Sequence, residues 1–392
     1  MATLHQSPTD PGFVQDPYPF YEIARRSGPF FHWADYGLVC TGQAATVAAI
    51  FRDRRFGREA PDAKPIPPHL APFYAVEAHS MLDLEPPRHT RLRGLVLRAF
   101  TSRRIAALRP EIEALCHDLI DRFPPGPFDL LQAYAQPLPV IIIARLLGVP
   151  EDRAPDLLRW SNAMVGMYQA RRTPAMEADA VTATESFVAF LTGHITDRRA
   201  RPADDLITHL IAAEMDGTRL TTDEMISTCI LLLNAGHEAT VHTLGNGVKA
   251  LLGTATPHDA LAPDQIAATV EEVLRFDPAL HMFTRYAYAE VEIAGHRFQR
   301  GDQVALLLAA ANRDPAVWDR PALFDPTRRV QPHASFGAGL HFCVGAPLAR
   351  LELQAALPIL FQRHPTLRLT EPPRYADVYH FHGLQRLSVT TA

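Results

Sequence analysis

Residues 336–352 read FGAGLHFCVGAPLARLE. Cys343 is the one soft metal ligand or nucleophile in this stretch, and Gly337, Gly339 and Gly345 surround it. Glycine held in ordered structure loses more conformational entropy than any other residue, so each of these positions needs a reason. Gly337 and Gly339 permit a tight bulged turn before the cysteine, and Gly345 permits a close approach just after it. Pro347 stands where the first turn of a helix tolerates proline. The dipole and free N–H groups at such a helix start favour a thiolate. The ordinary fate of a lone free cysteine is inert burial. Against that, a flat macrocycle lying over the backbone accounts for all three glycines, and haem iron accepts a Cys thiolate as its proximal ligand.

A second stretch, Asn234-Ala235-Gly236-His237-Glu238-Ala239-Thr240, puts an acid, an imidazole and a hydroxyl inside an otherwise apolar helical segment, 222–253. Buried Glu and His need partners or shifted pKa values. From these residues alone, a satisfied polar cluster and a catalytic one are equally good readings. Thr221 and Glu224 have capping-box spacing before the segment. At about 1.5 Å of rise per residue the helix spans a whole domain. Its first half is apolar all round, as for a helix running through a core.

The elements that must position these groups follow from periodicity. Helical spacing of apolar residues occurs over 88–123, 155–169, 176–198, 203–215, 222–253, 264–276 and 347–363. Shorter β-like runs lie near 29–41, 284–299, 302–308 and 375–391, and the proline-rich stretch 57–72 reads as a long loop. The expectation is a mainly α chain with a smaller β portion, organised as one domain over 1–392. Of the 392 residues, 47% are hydrophobic and 21% charged, an ordinary globular composition. A net charge of −5 argues against a general nucleic-acid binder. Cys40, Cys116, Cys229 and Cys343 have neither disulfide-framework nor zinc-ribbon spacing. No apolar run reaches membrane-spanning length, and the N-terminus lacks a signal-peptide pattern. A cytoplasmic protein without membrane attachment is expected.

The full pattern around the cysteine, F-G-x-G-x-H-x-C-x-G-x-x-L-A-R, resembles the bacterial soluble haem-thiolate monooxygenases of the cytochrome P450 superfamily. The resemblance extends in order along nearly the whole chain. Glu272 and Arg275 supply an E-x-x-R pair, Asn312-Arg313-Asp314-Pro315 is another familiar stretch, and the AGHEAT segment falls at the oxygen-binding helix. The resemblance implies a triangular-prism fold with haem b, iron protoporphyrin IX, between the long central helix and the Cys loop with its following helix. It implies Cys343 as the iron ligand. His89, Arg93, Arg285 and His341 would hold the propionates, and Phe336, Gly337 and Gly345 would pack on the cofactor. Gly236, Glu238, Ala239 and Thr240 would manage oxygen and protons, and Glu272 with Arg275 would be structural. Substrate contacts are expected from Phe73, Tyr74 and Met81, from Leu233 and Ala235, from Leu280, His281, Met282 and Phe283, and from Phe381 with the neighbouring His380 and His382.

The implied activity is insertion of one atom of O2 into a small-to-medium hydrophobic substrate by a monomeric enzyme. Electrons would come from an external ferredoxin and ferredoxin reductase, with Arg88, Arg91, Arg103, Arg104 and Arg350 as candidate docking cations. Two residues depart from the family pattern. Ala239 stands where a threonine usually follows the acid, which points to a substrate hydroxyl or carbonyl assisting proton delivery. Leu323 stands at an arginine position after the E-x-x-R region, so that pair must complete its hydrogen bonding elsewhere. Two other readings stay open at this level: a peroxide-using or NO-reducing haem-thiolate enzyme, and a non-catalytic haem- or ligand-binding protein.

Overall fold

A computed structural model describes every residue except 63, 64, 170, 216, 255–257, 380 and 392. The central helix, Thr222–Gly253, begins where the sequence predicts. The Thr221 hydroxyl accepts from the Glu224 N–H at 3.2 Å, and the Glu224 carboxylate accepts from the Thr221 N–H at 2.9 Å. Arg91 also pairs with Glu224 and ties the helix Arg88–Ala99 to this end. Around the central helix pack the helices Pro137–Leu147, Ala154–Val165, Ile266–Phe276 and Ala346–Arg363.

The run 88–123 is not one helix but three: Arg88–Ala99, Ser102–Ala107 and Arg109–Ile120. Thr101 caps the second through its hydroxyl, and Pro110 opens the third, so both breaks carry start signals. The expected loop 57–72 ends in a short 3₁₀ turn, Pro68–Leu70, which leads into the helix Ala71–Glu77. The helix Pro137–Leu147 has no counterpart in the sequence reading. Its two prolines sit in the first turn, where they lose no hydrogen bond. Its body is buried on nearly every side, so no apolar stripe marks it.

Six strands form the main sheet, in the order Ala2–Leu4, Phe31–Trp33, Leu38–Thr41, Gln303–Leu307, Met282–Ala287, Phe56–Gly57. Met282–Ala287 runs antiparallel to Gln303–Leu307, with Arg285 opposite Val304. Side chains alternate along a strand. Phe283 and Arg285 therefore face the central helix, while Met282 turns to an aromatic cluster of Phe13, Phe20, Tyr21 and Trp33. Among the described residues, no helix is long and apolar enough to cross a membrane.

Candidate active site

Cys343 sits in a loop pinned by its own N–H, which donates to the Phe336 carbonyl at 3.0 Å. The helix Ala346–Arg363 starts three residues later, and the backbone N–H groups of Gly345 and Ala346 point at the thiol. Burial pushes the Cys343 thiol up. Those N–H groups and the charges of Arg93 and Arg350 pull it back only in part. A metal cation at the sulfur reverses this balance, since a coordinated thiol is deprotonated outright. By contrast, burial pushes Cys40, Cys116 and Cys229 up to about 12, which leaves them inert.

The glycines around Cys343 have different reasons. Gly337 and Gly345 line the cavity beside the cysteine. Gly339 does not. Its φ is +70°, and a Cβ there would lie 2.1 Å from the Phe51 carbonyl oxygen. Close packing against the protein's own backbone, rather than a macrocycle, therefore explains that position.

Cys343 opens on a cavity of about 290 Å³ whose opposite wall is the central helix. Ala235, Gly236, Ala239, Thr240 and Thr243 line it, which is one face of a helix at i, i+4 spacing. The helix is regular through Gly236, where a Cβ would come within 2.4 Å of Ile143 Cδ1 on the neighbouring helix. The Thr240 hydroxyl lies in the wall but donates to the Gly236 carbonyl at 3.0 Å. Glu238 points away from the cavity. Its carboxylate meets His237 Nε2 at 3.4 Å and His242 Nε2 at 3.2 Å. Burial pushes the Glu238 carboxyl up, but the two histidines together outweigh it and hold the group well below the usual carboxylate range. His237 is anchored in turn, by the Asn162 amide oxygen at 3.2 Å.

At the other side of the cavity the charges are cationic. Arg285 is 3% exposed, and its guanidinium donates to the Thr284 carbonyl at 2.8 Å. No carboxylate forms an ion pair with it among the described residues. Burial lowers its pKa to about 9, and the nearby Arg58 adds to the effect. Arg93 donates to the Phe342 carbonyl at 2.7 Å, and both arginines line the cavity. Arg58 lines it too and pairs with Asp83 at 2.9 Å.

The Cytochrome P450 family model matches residues 266–374. Cytochrome P450 107B1 of Saccharopolyspora erythraea is 41% identical over 79% of this chain and 76% of its own length. The chain belongs to the cytochrome P450 family. The biotin biosynthesis cytochrome P450 of Bacillus subtilis is 35% identical over 99% of both chains. The cytochrome P450 monooxygenase PikC of Streptomyces venezuelae is 36% identical over 92% of this chain and 87% of its own. Among solved structures, P450BioI in complex with hexadec-9Z-enoic acid ligated acyl carrier protein superposes with a TM-score of 0.91 at 33% identity. That match covers 97% of this chain and 99% of the other. Such proteins are haem enzymes of the monooxygenase type, and this chain is one of them.

The residues present fit the P450 haem. Arg285 is a buried cation without an anion, the circumstance that a propionate relieves. His89 is fully buried with Nδ1 unpartnered. Burial, with His341 and Arg93 adding to it, lowers His89 to about 4, so it serves as a neutral hydrogen-bond donor. His89 does not reach the cavity wall; it packs behind His341, with ring centroids 4.4 Å apart. His341 lines the cavity while its Nε2 meets the Glu85 carboxylate at 2.9 Å. Sequence reasoning missed Arg58 and Glu85; their only signal was one charge inside the proline-rich loop and another just before Pro86 and Pro87. Replacing Arg285 with leucine is expected to speed haem loss about 10- to 100-fold, the worth of a hydrogen-bonded charge. Transfer of haem to a scavenging globin measures it.

Six expected substrate contacts do not line the cavity: Phe73, Tyr74, Leu233, His281, Met282 and His382. Leu233 shares a helix face with His237, turned toward Ser161 and Asn162. Met282 is on the wrong face of its strand. His281 bonds Tyr21 through Nδ1 at 2.9 Å. It belongs to a buried group with Asp277 and His382, whose ligand-type atoms lie within 4.8 Å of one another. Lys249 and Arg313 act on the same Asp277, so the positive charge there already disfavours a metal ion. Phe73 is buried in the core, and Tyr74 meets Arg172. Ala235, Leu280, Phe283, Phe381 and Met81 do line the cavity, and Leu280 bridges to Phe381 across two chain segments. His380 lies outside the described residues.

One further group differs from the sequence picture, and one departure from the family pattern is made good elsewhere as expected. Arg350 is committed to Glu271, at 2.5 Å and 3.0 Å, rather than free for docking. The leucine at 323 is compensated by Arg328, whose Nε lies 3.5 Å from Glu272.

Proposed function

We propose that this P450 oxygenates an apolar, medium-sized substrate that itself carries a hydroxyl or carbonyl near the oxidised carbon. The observation that carries the reading is the state of the hydroxyls on the central helix. Ala239 presents a methyl group to the cavity, the Thr240 hydroxyl is tied to the helix backbone, and the Glu238 carboxylate is held away by two histidines. Haem bound through Cys343 supplies O2 activation, with an electron-rich thiolate that favours O–O cleavage. The chain's own residues orient the substrate and manage protons. Ile143, Leu146, Leu147, Leu231 and Phe283 exclude water, while Asn234 and Thr243 offer polar anchors. Among the described residues, the hydroxyls on this face of the central helix, Thr240 and Thr243, are both tied to backbone carbonyls, so a substrate oxygen is the group that can order a proton-delivering water.

The relatives support the class of substrate. One is named a polyketide biosynthesis P450, and another structure is of epothilone B-bound P450epoK. Electrons come from an external ferredoxin and its reductase, docking on the face where Phe342 is 40% exposed beside the cysteine. The test is product formed per NADH consumed in Ala239→Thr. Substrates lacking the assisting oxygen should gain coupling about 10-fold, a fraction of the roughly 10²- to 10⁴-fold that a positioned proton-transfer group contributes. Oxygenated substrates should gain little. Equal coupling for both substrate classes in both proteins would sink the proposal.

A further inference from the structure

The helix that follows the cysteine carries an acid with no role in the site described above. Leu348, Ala349 and Glu352 stand at spacings that share one helix face, and all three line the cavity with Cys343. Glu352 is 1% exposed, and its Oε1 has no hydrogen-bond partner. No ion pair reaches it among the described residues. An unpaired carboxylate buried in this way is strongly disfavoured against the neutral acid.

The groups facing it from neighbouring elements offer no countercharge. From Arg109–Ile120, Cys116 presents a thiol pushed up to about 12 by burial, and Glu113 pairs with Arg109 at 3.4 Å. The Tyr134 hydroxyl donates to the Ala356 carbonyl at 2.9 Å. From Ile266–Phe276, Glu271 is taken by Arg350 and His333. Arg104 on Ser102–Ala107 pairs with Asp204 at 3.8 Å. The cavity face of the central helix brings neutral polar groups, Asn234, Thr240 and Thr243. Burial therefore pushes the Glu352 carboxyl up to about 8.

We infer that Glu352 is a proton-carrying acid of the haem site: where it is ionised, it binds one proton when the site gains one electron. The inference rests on reading the cavity as the haem site. A ferric porphyrin with its thiolate is net neutral and acquires one negative charge on reduction. In a low-dielectric pocket that charge raises the proton affinity of a facing carboxylate. One electron enters from an external one-electron donor, one proton comes from water, and one O–H bond forms on Glu352. The net charge of the buried region is unchanged.

The test is the midpoint potential of the holoenzyme, followed spectroelectrochemically from about pH 6 to about pH 10, in wild type and Glu352→Gln. The wild-type potential should be level at low pH, where the acid is protonated in both redox states. It should fall with pH above about pH 8, where reduction must bring in a proton. The Gln variant, isosteric with the neutral acid, should stay level over the same range. Equal slopes in the two haem-loaded proteins would overturn the inference alone. Failure of the folded wild-type protein to bind haem would overturn the reading of the site, and the inference with it.

Urea unfolding gives a second readout that needs no turnover. The folded-state pKa lies above the unfolded one, so the stability linked to the proton is fully present below about pH 4.5 and lost as pH rises through about pH 8. Wild type should lose stability relative to Glu352→Gln across that window. A gap that stays constant with pH would contradict the inference.

Discussion

Replacing Cys343 with alanine abolishes the strongly red-shifted Soret band of the reduced, CO-bound protein. It also lowers substrate oxygenation by more than about 10³-fold, over 4 kcal/mol of barrier. The loss is large because nothing replaces the sulfur: among the described residues, the other three cysteines are buried, with thiols pushed up to about 12. The fold should survive. Cys343 is in a loop rather than in the core, and its N–H to Phe336 bond belongs to the backbone. Circular dichroism and the CO spectrum of the same preparation separate the two effects. A variant that kept the red-shifted band would show that another group ligates the iron.

Replacing Glu272 with alanine produces the largest loss of stability expected in this chain. Glu272 and Arg275 are 4% and 1% exposed. Their paired contacts are 2.7 Å and 2.8 Å long. Arg275 also donates to the carbonyls of Asn312, Pro321 and Leu323, and the Asp325 N–H donates to Glu272 at 2.8 Å. Removing the carboxylate leaves the buried Arg275 guanidinium, and the half-buried Arg328 beside it, without their anion. Breaking one side of such a pair costs about 3–5 kcal/mol. Urea unfolding should show that drop, with lowered haem content in the purified protein. Arg275→Lys should lose nearly as much, because one ammonium cannot reach the three carbonyls and the carboxylate together. A loss under about 1 kcal/mol in Glu272→Ala would mean that the pair is solvated rather than structural.

The proton arrangement bears on both predictions. The Glu238 carboxylate is held by His237 and His242, and the wall facing the cysteine presents a methyl group and back-bonded hydroxyls. Specific hydration and the substrate's own polar atoms therefore control turnover more than in an enzyme with a free hydroxyl at 239. Mutations at the cysteine should remove activity outright, whereas mutations at 239 should redistribute electrons between product and peroxide.

The sequence by itself determined what local chemistry dictates. The capping box at Thr221 and Glu224 set the start of the central helix, because a cap is a hydrogen bond between residues three apart. The spacing of apolar residues located the helices Ile266–Phe276 and Ala346–Arg363 to within a few residues. The pattern from Phe336 to Arg350 carried the resemblance to the haem-thiolate class, because that chemistry is confined to one short stretch of neighbouring residues. Only the tertiary structure decided which side chains face the cavity. Leu233 and Met282 fail by a fraction of a helical turn and by one strand position, and neither offset is visible until the partner elements are placed. The same holds for Gly339, explained by the Phe51 carbonyl from a distant helix, and for Arg328, which fills the charge that Leu323 lacks. Burial without a countercharge, the property that singles out Arg285 and Glu352, belongs to the packed molecule and to no segment of it.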